Sequence, residues 1–273
     1  MEYRVICTDI DGTLLNKNRE LSEATIKEIS RIKDEIPVIL VSSRMPKAMR
    51  HLQNDLGIKN MPIISYNGAL VLLFDKEENP VKFISIPIDF EVLKLIYKIT
   101  RNTTLHLSIY RDDDWFVESI DYWASREINN TKVSPIVKKI EEVLQEWEYK
   151  KFGPHKIMCM GAEDEISILE KKLTLDYSNK LNIYRSKPTY LELSSSLISK
   201  ATAIEKLLTE KFDFKLSEAV AFGDNYNDIE MLEAVGLGIA VANANETLKS
   251  IADEITFSNV EDGVAASIKK YFS

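Results

Sequence analysis

The sequence predicts an α/β fold, a doubly wound parallel-sheet core interrupted by an inserted α+β domain. Three observations predict it. Over the first 75 residues, short and solidly apolar runs alternate with segments of helical periodicity, the pattern of βαβ units around a sheet buried on both faces. From about Phe83 to Pro188 the strand-like runs alternate polar and apolar residues, as expected of a largely antiparallel sheet with one open face. Solid runs then resume at Ala219–Phe222, Leu237–Val241 and Glu254–Thr256. Residues 1–83 and 189–273 are therefore assigned to the core, and residues 84–188 to the insert.

Each element has a local reason. Tyr3–Thr8 is apolar and β-branched, and the turn residues Asp11-Gly12 follow it. Leu21–Lys33 sets Ile26, Ile29 and Ile32 at helical spacing, with Ser22 as N-cap. Pro37–Val41 is a second solid strand, and Met45–Leu56 a helix with Pro46 in its first turn and Gly57 past its end. Pro62–Ser65 is a third strand, closed by the turn Asn67-Gly68. In the insert, strands are expected at Leu105–Tyr110, Trp115–Glu118 and Lys156–Met160, with Tyr190–Leu193 just beyond it. Helices are expected there at Phe90–Thr100, Pro135–Tyr149 and Glu163–Leu175, and in the final segment at Ala201–Leu208 and Ile229–Ala234. Asp112-Asp113-Asp114 lacks the spacing of a calcium loop and reads as a solvated hairpin tip.

Composition excludes several classes. The 273 residues carry 43 Asp and Glu against 35 Lys and Arg, a net charge of −8 that disfavours a partner bound through its phosphate backbone, so no nucleic acid is expected. No apolar run approaches the ~18 residues of a membrane span, and no membrane association is expected. Cys7 and Cys159 are too few for a disulfide framework. No signal-like leader opens the chain, which makes the cytoplasm the expected compartment.

The chemistry concentrates at strand ends, where open parallel sheets bind their ligands. Asp9-Ile10-Asp11-Gly12-Thr13-Leu14 follows the first strand. Two carboxylates two residues apart can converge on a cation or divide nucleophilic and acid/base duties, although an Asx turn would also use them. Gly223-Asp224-Asn225-Tyr226-Asn227-Asp228 follows another solid strand, and Asp228 could merely cap the next helix. Four aspartates brought together need a cation or a lysine between them. A hard Mg²⁺ ion suits them, and no His/Cys cluster suggests zinc. Ser42-Ser43-Arg44 ends the second strand before a helix, offering a hydroxyl and free N–H groups to an anion, or only a serine cap. Lys200 opens a helix, where a cation opposes the macrodipole unless an anion sits beside it.

Together, Asp9-x-Asp11-Gly12-Thr13, the strand end at Ser42, Lys200 and Gly223-Asp224-x-x-Asn227-Asp228 resemble the four motifs of the haloacid dehalogenase superfamily. The resemblance is to its Cof-type (IIB) phosphatases with a C2 cap, and Ile64-Ser65-Tyr66-Asn67-Gly68-Ala69, Val241-Ala242-Asn243-Ala244 and Glu261-Asp262-Gly263-Val264 fit them as well. It covers both core segments, whereas the insert matches only in position and general pattern. It implies a Rossmann-like core with an α+β cap that closes over the site.

The resemblance further implies that Asp9 attacks phosphorus and that Asp11 is the acid/base. Mg²⁺ would be held by Asp9, Asp224 and the carbonyl of Asp11. Ser42, Ser43, Lys200, Asn227 and the N–H of Ile10 would hold the phosphoryl group, with Asp228 orienting Lys200 or a metal-bound water. Arg44, Asn67, Lys156 and Arg185 are candidates for contact with the leaving group, along with Arg111, His155 and Tyr190. The second motif departs from the usual Thr-Gly-Arg by reading Ser42-Ser43-Arg44, and Ala201 replaces a frequent glycine. The implied activity is Mg²⁺-dependent hydrolysis of small phosphorylated metabolites, sugar phosphates first, by a monomer or weak homodimer. A phosphomutase and a non-catalytic module that binds phosphometabolites are the alternatives.

Overall fold

A computed structural model describes residues 3–272. In chain order its regular elements are β1 (Val5–Thr8), α1 (Glu23–Ile32), β2 (Val38–Val41), α2 (Lys47–Leu56), β3 (Ile63–Ser65), β4 (Leu70–Phe74) and β5 (Pro80–Ser85). Then come α3 (Phe90–Thr100), β6 (His106–Arg111), β7 (Asp114–Val117), α4 (Tyr122–Thr131), β8 (Ile136–Val137), α5 (Ile140–Lys150), β9 (Lys156–Met160), α6 (Glu163–Tyr177), β10 (Leu181–Lys187) and β11 (Tyr190–Ser195). The last are α7 (Lys200–Leu207), β12 (Ala219–Gly223), α8 (Ile229–Ala234), β13 (Leu237–Val241), α9 (Glu246–Ile251), β14 (Glu254–Thr256) and α10 (Gly263–Tyr271). Two compact units result. One combines the segment ending at Arg44 with Met49–Ile84 and the segment starting at Ser199, and the other holds Met45–Ala48 and Ser85–Ile198. No helix among the described residues is long and apolar enough to cross a membrane.

The first unit is built on an eight-stranded sheet in the order β14-β13-β12-β1-β2-β3-β4-β5. Pairing is parallel from β14 through β3 and antiparallel between β3 and β4. Strands β1, β2, β12 and β13 are buried along their whole length, which is why their sequences are solidly apolar. From β1 the chain winds outward to β2 and β3 on one side. It later returns beside β1 as β12 and winds out the other way. That reversal makes the carboxyl ends of β1 and β12 the topological switch point, the place where such sheets bind ligands. Ser22 caps α1 as its sequence predicts, its hydroxyl accepting from the N–H of Thr25.

The second unit has a six-stranded sheet in the order β10-β11-β9-β6-β7-β8, antiparallel except between β7 and β8. One face, including Leu107, Ile109, Ile157 and Leu191, packs with residues of α3, α5 and α6 in one apolar cluster. The other face was expected to be open, and here the expectation fails. Every residue of β9 is buried, as are His106, Ser108 and Tyr110 of β6. Part of the reason is α4, which the sequence did not announce. Its Trp123 packs edge-on against Tyr190, with ring centroids 5.7 Å apart, and the Arg126 guanidinium lies 5.4 Å from that same ring. His106, Ser108 and Trp115 on this buried face are paired in one network. His106 Nδ1 lies 2.8 Å from Asp121 Oδ2, and its Nε2 lies 2.8 Å from Ser108 Oγ, which accepts from the Trp115 indole at 2.9 Å. This order resembles a hydrolytic triad. Ser108 is wholly inaccessible, however, and its oxygen is already engaged by an obligate donor, so the network ties the N-cap of α4 to the sheet.

Candidate active site

Three strand ends deliver the site. The N–H of Asp9 donates to the carbonyl of Phe222 (3.0 Å), carrying the β1–β12 pairing one residue past the end of β1. Its carboxylate is thereby set beside the first residues after β12. The Lys200 ammonium donates to Asp9 Oδ1 at 2.7 Å and to Asp228 Oδ1 at 2.6 Å. Lys200 is the first residue of α7, whose N-terminus is closed by the Ser199 hydroxyl on Thr202 N–H. Two carboxylates on its ammonium account for a buried cation at a position that the helix dipole disfavours. Asp228 Oδ2 accepts from the backbone N–H groups of Asp224 and Asn225, both at 3.0 Å. Thr13 donates to Asp224 Oδ1 at 3.2 Å. One oxygen from each of Asp9, Asp224 and Asp228 lies within 4.8 Å of the others.

The electrostatics of this cluster are unbalanced. Burial pushes the Asp9 carboxyl up to about 7; Asp228 and Asp11 reinforce the rise and Lys200 opposes it. Burial, then Asp9 and Asp228, push Asp224 up to about 8. Burial alone would lower the Lys200 ammonium, but the paired charges of Asp228 and Asp9 outweigh it and hold the pKa above its ordinary value. Three carboxylates share one lysine. Asp228 is satisfied by that lysine and two N–H groups, which leaves Asp9, sharing the same lysine, and Asp224 with too little positive charge between them, a set of oxygen donors that fits a hard divalent cation. A measurable consequence follows from the sign of these shifts. Between pH ~4 and 8 the unfolded chain releases protons that folded Asp9 and Asp224 retain, so their contribution to stability declines as pH rises through that window. The gain in Tm on adding Mg²⁺ is therefore expected to widen from pH 5.5 to pH 8. A gain that stays constant or shrinks would contradict a cation held by these carboxylates.

Asp11 lies apart from that cluster, on the loop 10–14. Its carboxylate accepts from Arg44 Nε at 2.6 Å (Oδ2) and Nη2 at 2.8 Å (Oδ1), and from Arg19 Nη1 at 3.0 Å (Oδ1). Gly12 makes this loop possible. Its φ is +83°, and a Cβ there would come 2.2 Å from Asp224 Oδ2. Two amides pin the loop: Asn243 donates to the Gly12 carbonyl at 2.8 Å, and Asn259 donates to the Leu15 carbonyl at 2.7 Å. Sequence reasoning gave neither asparagine a role. The phrase Val241-Ala242-Asn243-Ala244 held the first in plain view, and nothing local marked the second.

Ser42 is buried just past β2, where its Oγ accepts from Arg44 N–H (3.2 Å) and its carbonyl from Asn67 N–H (3.0 Å). Ser43 follows it, partly exposed, and Ile10 is buried beside Asp9. Asn67 sits in the left-handed region, with φ 55° and ψ 32°, and its Oδ1 accepts from the Asn227 amide at 3.0 Å. Lys156 and Arg185 belong to the second unit, where each is committed to its own neighbours. Lys156 forms a partly buried ion pair with Glu192 at 3.0 Å, its ammonium 5.3 Å from the Tyr110 ring centroid. Arg185 bonds Ser167, Glu170 and the carbonyl of Pro188. His155, read from sequence as a loop residue, is wholly buried, with its ring between Ser85 Oγ (3.0 Å) and Asp112 N–H (3.1 Å).

Comparison with known proteins agrees with this fold. The profile of the haloacid dehalogenase-like hydrolase family matches residues 6–268. A Haemophilus influenzae relative is 30% identical over 275 residues, spanning 100% of this chain and 99% of its own. The Bacillus subtilis 5-amino-6-(5-phospho-D-ribitylamino)uracil phosphatase YitU is 29% identical over 98% of this chain and 97% of its own. Among solved structures, a haloacid dehalogenase-like hydrolase from Bacteroides thetaiotaomicron superposes with a TM-score of 0.87 at 29% identity, covering 98% and 99% of the two chains. The family profile spans both segments that hold the clustered aspartates and Lys200, and the chain accordingly belongs to the haloacid dehalogenase-like hydrolases, as a Cof-type phosphatase.

Proposed function

We propose that this enzyme hydrolyses small phosphate monoesters, sugar phosphates first among them, in a Mg²⁺-dependent reaction through an aspartyl-phosphate on Asp9. The observation that carries the proposal is the Asp9–Lys200–Asp228 chain of buried charge with Asp224 alongside. A carboxylate held on one oxygen by a lysine has its other oxygen available as a nucleophile, and Asp228 fixes the lysine rather than competing for phosphate. Asp9, Asp224 and the Asp11 carbonyl would hold Mg²⁺, which when bound offsets the charge of the carboxylates and the phosphoryl group. Asp9 Oδ2 forms a bond to phosphorus as the bond to the leaving oxygen breaks, and Asp11 gives that oxygen a proton. Asp11 then takes a proton from the water that attacks the aspartyl-phosphate, which releases inorganic phosphate and restores the Asp9 carboxylate. Lys200, Ser42, Asn227 and the N–H groups of Ile10 and Ser43 would bind the phosphoryl oxygens. Support for the substrate class comes from the relatives. YitU is named for a 5-phospho-D-ribityl compound, and a Yersinia pseudotuberculosis relative, 27% identical over 90% of this chain, is named HMP-PP phosphatase.

The test is phosphate release from a panel of phosphorylated metabolites and one aryl phosphate, with Mg²⁺ and with chelator. Turnover that needs Mg²⁺ and favours sugar phosphates is expected. Turnover unaffected by chelator would sink the metal assignment. Hexose phosphate isomers formed without free phosphate would identify a mutase, and binding without turnover a sensor.

A further inference from the structure

We infer that Arg44 is the positioning residue of the proton-transfer carboxylate: it acts on the reaction through Asp11 and not through the phosphoryl group. The inference rests on the phosphatase reading above and deepens it. Asp11 sits on a loop with its side chain 39% exposed, where an isolated carboxylate would sample several rotamers. A proton-transfer group must instead be held within a few tenths of an ångström of the oxygen it serves. The Arg44 fork supplies that constraint. Its Nε and Nη2 meet the two carboxylate oxygens separately, at 2.6 and 2.8 Å, and such a two-point contact fixes the plane of the carboxylate as well as its position.

Arg44 can act as a rigid mount because its own placement is secured. Its side chain is 5% exposed. Its N–H donates to Ser42 Oγ at 3.2 Å, and its carbonyl accepts from Tyr66 N–H at 3.3 Å. Those bonds anchor it to the ends of β2 and β3, strands that are themselves fully buried. Arg19 adds a third contact from the solvent side, where its exposure of 38% makes it the weaker partner. The proton cycle is compatible with the clamp. When the ester bond breaks, the leaving oxygen keeps the bonding pair and takes the proton of Asp11, which leaves the carboxylate that the fork binds at two points. The water that attacks the aspartyl-phosphate returns a proton to that carboxylate, and one of the two fork contacts is then exchanged for the new O–H.

Leaving-group dependence tests this role. Values of kcat/KM, which report steps through phosphoryl transfer, would be measured on a hexose 6-phosphate and on 2,4-dinitrophenyl phosphate, whose leaving group needs no proton. Arg44→Lys keeps the charge and removes the fork. It is expected to lose on the order of 10²-fold on the sugar ester and less than about fivefold on the dinitrophenyl ester. Equal losses on both esters would overturn the role, since impaired phosphate binding or folding acts on both, and so would no loss at all. Arg19→Gln, on an exposed loop, is expected to skew the two esters in the same direction by a few-fold. It decides the matter if Arg44→Lys does not fold, and parallel losses there overturn the role too. A wild type that turns over neither ester overturns the phosphatase reading itself, and this role with it.

Discussion

Asp9→Asn is expected to abolish phosphate release, lowering kcat by on the order of 10⁴- to 10⁶-fold, while the protein stays folded. The carboxamide matches the carboxylate in size and can still accept from Lys200 through its oxygen. It removes only the nucleophilic charge. A variant so conservative would do little if Asp9 were a turn residue. Stability should move the opposite way from activity. The Asp9 carboxyl is pushed up to about 7 because burial and the neighbouring Asp228 and Asp11 oppose its ionisation more than Lys200 favours it. At pH 8 without metal, the wild type therefore carries a charge that destabilises its fold, and the asparagine does not. Thermal unfolding at pH 8 in chelator should show Asp9→Asn with a higher Tm than the wild type. Addition of Mg²⁺ should narrow or reverse the gap, because one of its proposed ligands is gone. An asparagine variant within tenfold of wild-type turnover would end the assignment of Asp9 as nucleophile.

That the site could be located from sequence reflects where its residues sit. Asp9, Ser42 and Asp224 each follow a solidly apolar strand by one or two residues, and in a parallel sheet that alone sends them to a shared edge. Lys200 was legible because an unpaired cation at a helix start is unfavourable, which pointed to an anion nearby. The pairing of Asp11 with Arg44 and Arg19 was not legible. It depends on the path of loop 10–14, which Gly12 permits and which Asn243 and Asn259, more than 230 residues away, hold in place.

The second unit was read less well, for a different reason. Alternating polar and apolar residues in β6 and β9 suggested one wet face, but His106, Ser108, Lys156 and Met158 are all buried. Pattern alone cannot separate a solvated polar residue from one paired inside. His106 has Asp121 and Ser108, and Lys156 has Glu192, so the alternation records two differently filled buried faces. Helix α4 escaped notice because few of its side chains are apolar, and β10 because Asn182, Arg185 and Lys187 dilute its strand signal.

Lys200→Met should be the most destabilising single change in the site. The side chains are close in length, so packing is largely retained and the loss is electrostatic. Asp9 and Asp228 lose their shared cation inside a buried cluster that already includes Asp224. Stranding buried carboxylates in this way costs about 3–5 kcal/mol. For a chain of this size that corresponds to a fall in Tm of about 6–20 °C. The effect should be greatest above neutral pH, where Asp9 and Asp224 would otherwise ionise, and smaller near pH 5, where their protonation relieves the repulsion. Mg²⁺ should recover part of the loss by supplying charge to Asp9 and Asp224, but not the part belonging to Asp228, which faces the lysine. The double variant Lys200→Met with Asp228→Asn separates these contributions. It should be more stable than Lys200→Met alone, a coupling expected of residues in direct contact, yet remain catalytically dead because the ammonium that holds Asp9 and would bind the phosphoryl group is gone. A single variant that melts within about 2 °C of the wild type at pH 8 in chelator would show that the lysine does not carry the charge balance of the site.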